Sequence, residues 1–150
     1  ITVWHDQITF WSYVAEKNPR SAAVQNNLGN AYLRQKRFDE AIDRYRIALR
    51  ISPDDSLAHV NLGMALELQG HDRPAIEEYR LAVTHDPSGW PAYYQLALTY
   101  ARLERFEEAI DAAERAITFA RPLGRSREVD ELTRLVQSCR EKLSKRPVRP

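Results

Sequence analysis

The chain repeats itself every 34 residues. Pro19, Pro53 and Pro87 keep that spacing, and so do Leu28, Leu62 and Leu96. Gly29, Gly63 and Ala97 follow in phase, then Tyr32, Leu66 and Tyr100. Later in each unit come Ala41, Ala75 and Ala109, then Tyr45, Tyr79 and Ala113, then Ala48, Ala82 and Ala116. A period of this length marks a stack of like supersecondary units, each of which buries its apolar side against its neighbours.

Each unit predicts two helices. Val24, Leu28, Ala31 and Tyr32 fall on one face of a helix, at spacings of three and four. A polar break, Lys36-Arg37, precedes a second helix with Ala41, Ile42, Tyr45, Ala48 and Leu49 on its face. Asp39 and Glu40 suit that helix's positive start, and Pro53 lies just past its end. The second unit breaks at Gly70, which accepts a left-handed turn; Asp72 is then expected as an N-cap, with Pro74 in the first turn. The third unit runs from Trp90 to Ala120 and breaks at Glu104-Arg105. Glycine and alanine at the in-phase positions let paired helices approach closely. Larger side chains there cost about 1–3 kcal/mol in overpacking.

The pattern L-G-x-x-Y, followed by Ala, Tyr, Ala and Pro, resembles the tetratricopeptide repeat (TPR) from Ala22 to about Leu123. Two departures stand out. The family's Trp near each repeat start is replaced by Gln25, His59 and Tyr93, and the third repeat has Arg121 in place of its closing Pro, with Pro122 one residue late. The resemblance implies an all-α fold, a right-handed α-solenoid of antiparallel helix pairs with about eight helices. One domain over residues 1–150 is expected: an orphan N-terminal helix at 1–20, repeats at 22–55, 56–89 and 90–123, a capping helix at 126–145 with Ser126 as N-cap, and a disordered tail at 146–150.

Charge narrows the function. With 22 basic and 21 acidic residues the net charge is +1, so no specific nucleic-acid binding is expected. The stretch from Arg121 onward carries +5, which reads as a solvated face. Cys139 is the single cysteine, excluding an internal disulfide, and its place on an apolar stripe reads as packing. His5, His59, His71 and His85 lack metal-ligand pairing, and there is neither a glycine-rich phosphate loop nor a G-x-S-x-G elbow. No catalysis, cofactor or metal is expected.

The resemblance places the first helix of each repeat along a concave groove. That maps a peptide or partner helix onto Asn26, Asn27, Asn30, Leu33 and Arg34, then Val60, Asn61, Met64 and Leu68, then Tyr94, Gln95, Leu98 and Arg102. One TPR subgroup clamps a chaperone's C-terminal carboxylate with two Lys, two Asn and one Arg. Asn30 and Asn61 match its asparagines, but Asn26, Pro91 and Gln95 stand where the cations belong, so strong binding of an acidic tail is not expected.

The N-terminal helix carries Trp4, Ile8, Trp11 and Ala15 on one face, with Phe10 and Tyr13 beside it. That face is expected to pack on the first repeat, or to pair with a second copy through Trp4, Ile8 and Trp11. The run V-W-x-D-x-x-x-x-W is also similar to segments that join polytopic membrane proteins, some glycosyltransferase-like, to C-terminal TPR regions. That resemblance implies membrane proximity upstream of Ile1 and a membrane-anchored protein with this domain on the aqueous side; without it a cytoplasmic location is expected.

Overall fold

The computed structural model describes residues 6–145, so Trp4 and the tail at 146–150 lie outside the described residues. The chain is all-α, built from antiparallel helix pairs, with no strand among the described residues. It forms two compact units, one ending at His85 and the other beginning at Asp86. The first holds α1 (Gln7–Lys17), α2 (Ala22–Arg34), α3 (Phe38–Ile51), α4 (Ser56–Leu68) and α5 (Asp72–His85). The second holds α6 (Trp90–Arg102), α7 (Phe106–Ala120), a 3-10 turn (Arg121–Leu123) and α8 (Ser126–Ser144).

The helix starts follow local chemistry. Asp6 caps α1 by accepting the Thr9 N–H at 2.8 Å, and Asp55 caps α4 by accepting that of Ala58 at 3.0 Å. Two expected caps lie one position off: Asp72 is the first residue of α5, and Ser126 is the first residue of α8 with Arg125 before it. In both, an acidic residue still lies in the first turn, Asp72 and Glu128.

The turn inside each pair recurs with the period. Lys36, Gly70 and Glu104 all adopt left-handed backbone, at φ 59°, 83° and 58°. The next N–H then folds back: Arg37 onto the Tyr32 carbonyl at 3.0 Å, His71 onto Leu66 at 2.9 Å, and Arg105 onto Tyr100 at 2.9 Å. These bonds satisfy carbonyls orphaned at the helix end. Arg37 also covers the Tyr32 ring and pairs with Glu40, whose carboxyl it holds below the usual range. Arg105 likewise covers the Tyr100 ring and pairs with Glu108.

Within each pair the core is set by one small-to-large match. Tyr45 and Tyr79 are 0% exposed, lying across Gly29 and Gly63. A Cβ on Gly29 would stand 2.5 Å from Tyr45 Cε1, and one on Gly63 would stand 2.7 Å from Tyr79 Cδ1. The third pair has Ala97 and Ala113 at these positions, both 0% exposed. Removing the ring makes room for the methyl.

α8 packs Leu132, Val136 and Cys139 against α7, and burial raises the Cys139 thiol pKa. Its other side bears exposed Arg134, Gln137 and Arg140. No helix of the described residues is long and apolar enough to cross a membrane. Within the described residues this corrects the expectation of a membrane anchor: the longest helix, α8, has 19 residues but only one apolar side.

Candidate functional site

In the first unit, α2 and α4 lie side by side and present the expected residues. The Asn61 amide donates to Asn26 Oδ1 at 3.0 Å, a rung between the two helices. Asn30 Oδ1 accepts the Tyr45 hydroxyl at 2.7 Å, so this side chain is held from behind by the core. Burial also raises the Tyr45 phenol pKa. Asn27, Leu33 and Met64 are half-buried, while Arg34 is exposed and donates to Gln7 Oε1.

Spacing explains which α4 residues reach the surface. Leu57, Asn61, Met64 and Leu68 follow one helical stripe, with Leu57 61% and Leu68 57% exposed. Val60 lies off that stripe, beside His59 and Gly63, and is only 5% exposed, so it contributes packing and no contact surface. The face therefore joins an amide rung between α2 and α4 to the apolar residues Leu57, Met64 and Leu68 of α4.

In the second unit α6 carries Tyr94, Gln95, Leu98 and Arg102; the first three are half-buried and Arg102 is exposed. The Tyr94 hydroxyl donates to Glu131 of α8 at 2.8 Å. Burial first, and this carboxylate second, push the phenol pKa up to about 12. Glu131 was not anticipated as a site residue. Its signal was the 34-residue phase carried on from Asn61, displaced by two positions because the Arg121–Leu123 turn lengthens the connection.

The three replacements of the family's Trp are buried and differently satisfied. Gln25 donates to the Pro19 carbonyl and accepts from Arg44, both at 3.4 Å. His59 places Nε2 3.0 Å from the Pro53 carbonyl and Nδ1 2.7 Å from Glu78 Oε2, and stacks on His85. Tyr93 stacks on Phe119, with Arg115 over its ring. A pocket of about 380 Å³ opens beside Gln25, lined also by Ser12, Ala15, Glu16, Pro19, Leu28 and Arg44. Glutamine fills less of this space than tryptophan does. Among the described residues no group of three or more His, Cys, Asp or Glu could hold a metal ion.

Two family models match the sequence. The first, described as a TPR repeat, covers residues 29–70, and the second, a tetratricopeptide repeat, covers residues 91–122. The chain carries tetratricopeptide repeats. No curated protein matches it. Among solved structures, this TPR chain is similar to the TPR2B domain of yeast Sti1 in its pHsp70 complex, with TM-score 0.75 and 19% identity over 81% of this chain and 97% of that one. It is also similar to the Sgt2 TPR domain from Aspergillus fumigatus, with TM-score 0.72 and 24% identity over 86% and 87% of the two chains. A third similar structure is the first TPR of Spaghetti (RPAP3) bound to the HSP90 peptide SRMEEVD, with TM-score 0.75 and 25% identity over 84% and 95%. The first two likenesses speak to fold. None of these three carries a glycosyltransferase description, so the weaker resemblance finds no support.

Proposed function

We propose that this TPR chain is a non-catalytic scaffold that binds a protein partner through a peptide or helix laid on the α2–α4 face. The observation that carries the reading is the Asn61–Asn26 rung flanked by the exposed leucines Leu57 and Leu68. Asparagine offers both donors and acceptors to a peptide backbone, and Leu57, Met64 and Leu68 offer apolar contact with an adaptable centre. The RPAP3 domain supports the class of ligand, since it was solved with a peptide bound.

The chemistry of the ligand differs from that acidic peptide. Asn26, Pro91 and Gln95 replace the cations that clamp a terminal carboxylate, so an uncharged amphipathic segment fits better. A panel of labelled peptides read by fluorescence polarisation tests this. Neutral amphipathic peptides should bind, and the double change Leu57→Asp with Leu68→Asp should weaken them about tenfold without moving Tm, as loss of a central apolar contact does. Tighter binding of SRMEEVD than of any neutral peptide, or unchanged affinity in the double variant, refutes the reading.

A further inference from the structure

One buried position recurs in each repeat with different chemistry: Gln25, His59 and Tyr93 share it, 34 residues apart. In the second and third repeats a ring fills the position and stacks on another ring 26 residues later, His59 on His85 at 5.4 Å and Tyr93 on Phe119 at 5.9 Å. The first repeat has neither ring, with Gln25 and Ile51 in their places. Gln25 spans from the Pro19 carbonyl to Arg44 by two bonds of 3.4 Å each, at the long limit for such bonds. His59 makes the matching span, from the Pro53 carbonyl to Glu78, at 3.0 and 2.7 Å. The space left beside Gln25 is the pocket of about 380 Å³.

The pocket lies within the first unit, where α1, α2 and α3 meet, and shares no residue with the α2–α4 face. Leu28 and Ala15 give it an apolar floor, 1% and 8% exposed. Half-buried Arg44 lines one side. Among the described residues Arg44 makes no ion pair, and its one hydrogen bond is the long one to Gln25. A guanidinium carries five N–H donors, so donors are left for a ligand. Charge at this register is inverted between repeats: Arg44 stands where the second repeat has Glu78. There the chain itself supplies a ring and a carboxylate together, His59 and Glu78. At the same two positions of the first repeat it supplies neither. Glu16 also lines the pocket, from an exposed place on α1 where water and salt screen its charge.

We propose that this pocket binds a planar aromatic carboxylate of one or two rings, its ring seated against Ala15 and Leu28 and its carboxylate on the Arg44 guanidinium. Such a ligand restores to the first repeat the ring and the carboxylate that His59 and Glu78 bring to the second. Volume sets the size, because about 380 Å³ lies near the small end of the roughly 300–1,000 Å³ range of ligand sites. Arginine meets a carboxylate through two parallel N–H bonds, so the site reads shape as well as charge. The half-buried Ser12 hydroxyl belongs to the same lining and offers a further donor. This site and the peptide-binding face are independent, and neither reading rests on the other.

Indole-3-acetate is the probe, titrated into the full chain and followed by isothermal calorimetry and by NMR of the backbone amides. Binding should saturate, with the shifted amides centred on Ser12, Ala15 and Leu28. Indole without the carboxylate, and acetate without the ring, should each bind at least about tenfold more weakly. Arg44→Gln should weaken the probe about tenfold, and Arg44→Lys by less, since lysine keeps the charge and loses the fork. Gln25→Trp, which puts a ring of the chain's own into the space, should abolish binding, and Glu16→Gln should tighten it. Thermal melts check that each variant is folded. No saturable binding, equal affinity for indole and indole-3-acetate, or unchanged affinity in folded Arg44→Gln overturns the proposal. So does a peptide ending in tryptophan that binds more tightly than the free acid, because the site then belongs to the end of a partner chain.

Discussion

Gly29 lies flat against the ring of Tyr45, so close that no side chain fits between them. The ring is 0% exposed and walled in, so it cannot swing aside. Gly29→Ala should therefore destabilise the first unit by about 1–3 kcal/mol, the ordinary cost of overpacking, although alanine is the better helix former. Adding Tyr45→Ala should cost less on the Gly29→Ala background than on the wild type, because Ala97 and Ala113 already show that two alanines coexist. Urea denaturation of the four proteins of this cycle reads the coupling. Additive effects would contradict the interlock.

Lys36 and Glu104 hold left-handed backbone that Gly70 holds at the same place in the repeat. For residues with a Cβ that region costs roughly 1–2 kcal/mol, partly offset in glycine by its greater freedom when unfolded. Lys36→Gly and Glu104→Gly should each raise stability by up to about 1 kcal/mol, a rise in Tm of about 2–4 °C in a domain of this size. Gly70→Ala should do the reverse. Calorimetry of the three variants gives the signs.

Gln25 leaves a pocket of about 380 Å³ where the family places tryptophan. Gln25→Trp should fill part of it while the indole N–H takes over the Pro19 carbonyl. Burying about 60 Å² of added apolar surface stabilises by about 1.5 kcal/mol. A lower midpoint in urea would mean that Arg44, left without its Gln25 acceptor, outweighs the packing.

The Tyr94 phenol pKa rises to about 12, from burial and from its bond to Glu131. In the unfolded chain a tyrosine loses its proton near 10. Between these values the folded state binds more protons, so its stability falls as pH rises through that window. Tyr94→Phe should flatten the fall in that range, seen as Tm against pH. An identical slope in both proteins would show that Tyr94 is not its source.

Much of this fold was legible because the sequence states it three times. Phase alone located the paired helices, the turn at Gly70 and the small residues beneath Tyr45 and Tyr79. Single-copy features were harder to read. The cap expected at Asp72 slipped by one because backbone bonds around Gly70, which outrank side-chain preference, set where the helix begins. Val60 was read as surface because the phase of Asn26 was copied onto it, yet helical spacing puts Leu57, Asn61, Met64 and Leu68 on the outer stripe and Val60 off it. Glu131 escaped notice because an inserted turn broke the period just before α8.

The rung from Asn61 to Asn26 spans 35 positions and the bond from Tyr94 to Glu131 spans 37. Neighbour-to-neighbour ties of this reach let each helix pair yield without waiting for the others. Stretched between its ends, such a molecule should lengthen in several small steps at modest force, the behaviour of a compliant spring and not of a brittle clasp.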